Sequence, residues 1–423
     1  MWTTLKNAWK IADLRKKILY TLLMLLVYRL LCFVPTPGIN LAAVQSKVAG
    51  LDLLNFINMM TGSSMAEFNI MAMGITPYIN ASIIMQLLCV AIPKLEELQK
   101  QGQEGQKKIA QYTRYVTVGL GFVQAVALSM GLGASGDGSV LSYLTIGFCL
   151  AAGTALAMWI GERITEKGIG NGVSLLIFAG IISNIARYVA SAVMSLFNSE
   201  ALAGGLVNPW AYLAVVVLAV VMTVAIVFVD RGERRIPVQY AKRMVGRKMY
   251  GGQSTHIPLR INSSGVLPLI FASAIMQFPS TILSFFPQSS ANMWWTANVN
   301  YTSVLYQLIF ALMILGFTFF YSSITFNPAE ISKNIQGNGG MIPGIRQGKP
   351  TTEFIAKSSH RITLFGAIFL ALLATIPTLI SGIAKMNMPF AASSLLIAVS
   401  VALETTRQLE SQMTMRHYKG FLK

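Results

Sequence analysis

The sequence predicts an all-α, polytopic membrane protein built from two related halves, and three observations carry that prediction. Hydrophobic residues make up 54% of the 423 and charged ones only 12%, a balance too apolar for a soluble chain of this length. Ten apolar segments approach the roughly 20 residues that a helix needs to cross a hydrocarbon core about 30 Å thick. One of them is also repeated. Gly74 to Gln86, GITPYINASIIMQ, returns as Gly265 to Gln277, GVLPLIFASAIMQ, with identity at Gly, Pro, Ile, Ala, Ser, Ile, Met and Gln.

In order, the candidate spans are Ile18 to Val34, Phe68 to Ile92, Tyr115 to Met130, Leu141 to Ile160, Val173 to Phe197, Val207 to Val229, Ile261 to Phe286, Val304 to Phe326, Ile362 to Ile383 and Met388 to Leu403. They are continuously apolar rather than alternating, so they are read as helices and not as barrel strands. The second span carries Gly74, Pro77, Asn80, Ser82 and Gln86, more interruptions than an anchor needs. A shorter echo pairs Ser174-Leu175-Leu176-Ile177 with Ser394-Leu395-Leu396-Ile397. Each half therefore holds one copy of each stretch, in the same order, as an internal duplication does.

Five spans per half is an odd number, so the second half must enter the membrane with opposite polarity. The prediction is two inverted five-helix halves, with a pathway near the bilayer midplane where they meet. The second and seventh helices, with the fifth and tenth, are its expected walls. The chain divides into an amino-terminal arm at 1–17, a first half at 18–197, an outer loop and sixth helix at 198–229, and a basic loop at 230–260. Helices seven to ten follow at 261–406, with a loop at 327–361, and a tail at 407–423.

Orientation follows from the cations. All but four of the 33 Lys and Arg residues fall in the arm, the tail and alternate loops; the exceptions are Arg29, Lys47, Arg187 and Lys385. Both termini are therefore expected in the cytoplasm, and the net charge of +17 is mostly topogenic. The first span follows Lys6, Lys10, Arg15, Lys16 and Lys17, but its apolar core is long and no small-residue cleavage site follows, so it is read as an uncleaved span. Cys32, Cys89 and Cys149 lie in apolar segments without partner spacing and read as small hydrophobes. His256, His360 and His417 fall outside the spans, and no cofactor or metal is implied.

All sixteen acids lie in loops or at span ends, which speaks against an ion-coupled transporter. No His at depth and no H-E-x-x-H helix speak against an intramembrane protease. Arg29 and Arg187 alone look intramembrane, each close enough to an outer end to snorkel. What the echoes align is isoleucine, Ile79 with Ile270 and Ile177 with Ile397. Ile83 and Ile181, one helical turn on from Ile79 and Ile177, complete a six-membered aliphatic ring. Such a constriction dewets and stops ions when closed; ordinary helix packing accounts for the same residues.

Between the first two spans, the excursion from Pro35 to Glu67 contains LDLLNFINMM, Leu51 to Met60, too short to span. It reads either as a helix entering part-way to stop a pore or as one lying on the interface. The loop Asp230 to Arg260 alternates β-favouring and polar residues around Gly251-Gly252, as a two-stranded projection does. Asn327 to Lys357 is Gly- and Pro-rich. Both loops are basic enough to dock an acidic partner or simply to face lipid headgroups.

Phe68 to Gln86 and Trp159 to Phe178, WIGERITEKGIGNGVSLLIF, resemble the two signature stretches of the SecY/Sec61α family, most like its bacterial form. QSTHIPLRIN and the PGIR segment resemble its sixth-to-seventh and eighth-to-ninth loops. GIGNG alone is a poor phosphate-loop signal, since no strand precedes it and no Lys-Ser/Thr follows. The resemblance implies a protein-conducting channel in the bacterial cell membrane, not an enzyme. It implies a pore ring at Ile79, Ile83, Ile177, Ile181, Ile270 and Ile397, and a plug over about 51–65 with Leu51, Leu53, Leu54, Phe56, Ile57 and Met60. It implies a lateral gate between helices two/three and seven/eight, where Gln86, Ser273 and Gln277 would hold the closed state by hydrogen bonds. Arg243, Arg247 and Arg346 become contacts for the SecA motor or the ribosome, and SecE and SecG the membrane partners. The chain has no nucleotide-binding loop, so work must come from such a partner.

Overall fold

The computed structural model describes residues 6, 8–41, 44, 67–136, 138–197, 209–240, 243–245, 248–250, 254–262, 265–284, 289–299, 303–384 and 392–420. The plug candidates and Arg247 lie outside the described residues. Thirteen helices are described: α1 Ala12–Leu31, α2 Thr76–Ala91, α3 Pro93–Lys100, α4 Gln103–Leu132, α5 Val140–Lys167, α6 Gly172–Phe197, α7 Pro209–Arg231, α8 Leu267–Ser284, α9 Ser290–Asn298, α10 Val304–Thr325, α11 Pro328–Gly337, α12 Lys349–Ala384 and α13 Ala392–Gly420. Each of the ten candidate spans carries one of them.

Among the described residues, four helical runs are long and apolar enough to cross a bilayer: α4, α5, Val304–Gly337 and α12 as far as Thr378. The pair α2 and α3, bent by 101°, makes a fifth if counted as one interrupted span. The chain is thus a multi-pass membrane protein. Apolar stretch and helix also differ in extent. α12 starts at Lys349 rather than Ile362, and α13 runs on past Leu403 to Gly420, because the polar residues there are helix-tolerant and include no proline after Pro350 to stop the turn.

The echoed segments fold alike, and their backbones explain how. Gly74 (φ +52°) and Gly265 (φ +61°) both take the left-handed conformation, which costs glycine little. Helix then begins two residues on, at Thr76 and at Leu267. In each case a proline, Pro77 or Pro268, falls in the first turn, where its missing N–H is no loss. This shortens the second span: residues 68–75 run as turns, Phe68 itself at φ +49°, with Asn69 bridging to Pro35. The helix occupies only Thr76–Ala91 of the apolar run from Phe68 to Ile92.

Packing follows the duplication. In the first half α2 lies on α4, α4 on α5, α5 on α6, and α1 on α5 and α6; in the second α8 lies on α10, α10 on α12, α12 on α13, and α7 on α13. The halves meet where α8 contacts α2 and α4, and where α6 contacts α13. Each echoed helix thus touches its own copy.

At the end of the bundle bearing the basic loops, the strands are β1 Glu233–Tyr240, β2 Arg243–Val245, β3 Lys248–Tyr250, β4 Ser254–Arg260 and β5 Gly340–Met341. β1 pairs antiparallel with β4 from Glu233↔Arg260 to Gln239↔Ser254, and β2 with β3. The expected two-stranded projection gains a third strand, because β5 from the second basic loop pairs with the far edge of β1, Gln239↔Met341 and Tyr240↔Gly340. Alternate residues Ile236 and Val238 turn inward and bury with Leu259, Ile335, Ile342 and Ile355. Below the sheet, the amide of Ile261 donates to the carbonyl of Gly232 at 3.0 Å, and Arg407 of α13 grips Asp230 at the end of α7, Nη2 to Oδ2 2.9 Å.

A close approach fixes α5. A Cβ on Gly153 would lie 2.0 Å from the carbonyl oxygen of Ile70, whereas one on Gly119 would meet nothing within 4 Å. Gly153→Ala is expected to cost about 1–3 kcal/mol of stability through overpacking and Gly119→Ala to be neutral or slightly stabilising. Unfolding midpoints in detergent compare the two.

Candidate pore and gate

The equivalent starts of α2 and α8 put Ile79 and Ile270 in matching first turns, their amides bonded to the carbonyls of Ile75 (3.1 Å) and Val266 (3.2 Å). Both side chains enter one large apolar cluster. Ile177, Ile181, Ile270 and Ile397 are buried in it, and half-buried Ile79 packs against it. The second echo behaves the same way, Leu175 to Ile177 and Leu395 to Ile397 all being buried there. Five of the six candidate ring isoleucines therefore share one apolar cluster where the halves meet.

Ile83 sits elsewhere. It is buried with Phe271 and Ala274 of α8, and Ile79 packs against this cluster too, bridging the two groups. In the echo Ile83 aligns with Ala274, so a large side chain on one copy meets a small one on the other. Phe271 makes edge-on contacts with Phe317 and Tyr321 of α10, ring centroids at 5.8 and 6.3 Å, a favoured aromatic geometry.

Among the described residues, an apolar contact joins α2 to α8. The Ser273 hydroxyl donates to the carbonyl of Ile270 in its own helix at 2.8 Å, a local bond that leaves little to offer a neighbour. Gln86 is exposed, and the side chain of Gln277 lies outside the described residues.

The sequence reading missed a second set of polar groups. Asn80 on α2, Gln124 on α4 and Thr154 on α5 are buried on three helices that pack on one another. Asn80 Oδ1, Gln124 Oε1 and Thr154 Oγ1 meet no hydrogen-bond partner among the described residues. Gly121 of α4 lies beside these helices, where a Cβ would make ordinary contact, 3.5 Å from Pro77 and 3.8 Å from Thr154. A buried acceptor left unpaired costs roughly 1–3 kcal/mol. Asn80 inside an apolar run was the signal available.

The GIGNG loop is occupied internally. The amide of Ile169 donates to Thr21 Oγ1 (3.1 Å), that of Gly172 to Thr165 Oγ1 (2.9 Å), and those of Val173 and Ser174 to Asn171 Oδ1 (3.1 and 3.3 Å). These amides cap α6 instead of cradling a phosphate. In the basic loops, Arg346 is exposed on a backbone fixed by Thr351, whose hydroxyl donates to the Arg346 carbonyl at 2.7 Å. The backbone of Arg243 opens β2.

This architecture has the fold of the protein-conducting channels. A solved structure of a protein-conducting channel superposes with a TM-score of 0.68 at 19% identity, over 95% of this chain and 93% of that one. Sec61 in the canine ribosome–channel complex from the endoplasmic reticulum gives 0.63 at 16% identity, over 95% and 93%. The SecY family model matches residues 69–406, and the protein translocase subunit SecY of Thermotoga maritima is 41% identical over 437 residues, covering all of this chain and 98% of that one. The chain belongs to the SecY family.

The gate geometry makes a differential prediction. Phe271→Ala removes both aromatic contacts and the lid over Ile83, a loss on the order of 3–5 kcal/mol for a buried Phe. Ser273→Ala removes only an in-helix bond. The unfolding midpoint of the purified protein should fall markedly for the first and barely for the second.

Proposed function

We propose that this chain is the channel-forming subunit of a bacterial protein translocase, passing unfolded secretory polypeptides across the cell membrane and releasing hydrophobic segments sideways into lipid. The observation that carries the reading is the apolar cluster at which the echoed helices meet, with Ile79, Ile177, Ile181, Ile270 and Ile397 in or against it. A chain of arbitrary sequence needs a passage without specific binding groups. Flexible aliphatic side chains give way to any residue and close again, and when closed they exclude water and with it ions.

In this reading ten helices cross the membrane as two inverted halves, with both termini in the cytoplasm, and the segment 51–65 is the plug. Ile83 belongs to the inner wall of the gate as much as to the ring. The lateral gate opens between α2/α4 and α8/α10. Its closed state rests on the Phe271 contacts, with Gln86 and Gln277 the polar residues of its two walls. A hydrophobic signal helix entering there replaces one apolar contact by another, so the gate opens at small net cost. The unpaired oxygens of Asn80 and Gln124 favour separation of the wall around them. SecE and SecG are the proposed membrane partners.

Energy comes from outside the chain. The two basic loops, with Arg243, Arg247 and Arg346, are the proposed platform for the SecA motor and for the ribosome, a partner supported by the likeness to Sec61 bound to a ribosome. Their joint sheet supports a single docking surface.

Two experiments test the reading. Replacing Ile79, Ile83 and Ile270 together by Gly should raise ion conductance of the resting complex in planar bilayers, and an unchanged leak counts against the seal. Arg346→Glu should abolish motor-driven export into vesicles while the channel stays folded; export at the parent rate removes the loop assignment.

A further inference from the structure

Arg29 lies in the last turn of α1, a helix whose only acidic residue is Asp13 in its first turn. A guanidinium stays charged in any protein environment, so at this depth its N–H groups need acceptors. The expected snorkelling to the outer end does not occur. Nη2 instead donates to the carbonyl of Ala179 at 2.8 Å and to that of Gly180 at 3.4 Å, both in α6. Thr21, earlier in α1, accepts the amide of Ile169 from the loop before α6. Eight residues of helix, about 12 Å, separate the two contacts, so α1 holds α6 at its base and again well inside the bundle.

The place of the second contact matters. Ala179 and Gly180 lie between Ile177 and Ile181, which are 7% and 1% exposed. Gly180 is the most pliable point of this stretch. A helical carbonyl keeps a free lone pair after accepting its own amide, and a charged donor makes a strong bond to it. We propose that Arg29 is a positioning residue of the channel, holding the segment of α6 that carries Ile177 and Ile181 so that both isoleucines stay in the closed waist. This rests on the waist being the seal. The arginine touches no passing chain; it fixes the rotation and height of the helix that does the sealing.

The test compares resting ion leak of the assembled translocase in planar bilayers for the parent, Arg29→Leu, Arg29→Lys and, as a control, Ile79→Gly. Arg29→Leu should leak about tenfold more, the scale of one lost charge-assisted bond. Arg29→Lys keeps the charge and a donor group but loses the length of the guanidinium whose Nη2 reaches both carbonyls, and should fall between the two. Parent-level leak from Arg29→Leu beside a leaky Ile79→Gly overturns the proposal and leaves the seal standing. If neither leaks, the seal fails and takes the proposal with it. If Arg29→Lys leaks as much as Arg29→Leu, the effect is general loosening and the positioning role is wrong. Should Arg29→Leu fail to assemble, Arg29→Lys decides, leak above the parent supporting the role and parent-level leak removing it.

Discussion

Where α2 meets α8 and α6 meets α13, the two halves of the chain share one cluster of buried apolar side chains. That contact constrains the rest of the design. In hydrocarbon there is no hydrophobic drive between helices, so association relies on close packing and on the few polar bonds available. The glycine-proline entry shared by α2 and α8 gives both helices the same starting turn, and the same turn delivers Ile79 and Ile270 to the interface. A duplicated local rule thus produces a matched pair of walls.

The remaining elements limit how those walls move. The α1 helix is pinned to α6 through Thr21 and Arg29, and Arg407 pins α13 to the end of α7. Four helices are thus tied to neighbours at identified points, while the contacts described between α2 and α8 are those of Ile83 with Phe271 and Ala274. At the basic end the sheet β4–β1–β5 makes two loops that are distant in sequence into one body.

The sequence was most legible where a local rule acts. Hydropathy located every long helix, and the echo located the equivalent turns at Gly74 and Gly265, since backbone conformation there depends on neighbouring residues only. It was less legible where partners are distant. The two residues of β5 carry no strand signal of their own and become a strand only because β1 offers an edge. Arg29 near the end of an apolar run reads as a snorkelling cation, and only the position of α6 turns it inward. Asn80, Gln124 and Thr154 look like isolated polar residues until three helices bring them to one junction. Ser273 is a similar case, since it donates to the carbonyl of Ile270 in its own helix, one turn back. Helix ends outran the apolar segments because the bilayer, not the hydrogen-bond ladder, stops where the polar residues begin.

The central claim is that the meeting of the halves is the path of the substrate chain. It is tested most directly by crosslinking from single cysteines at positions 79 and 270 to a cysteine in a secretory chain stalled midway through the assembled translocase. The account predicts adducts from both positions to the same short stretch of the stalled chain, and none from a cysteine at the lipid-exposed position 312. Adducts from position 312 with none from 79 or 270 would contradict it.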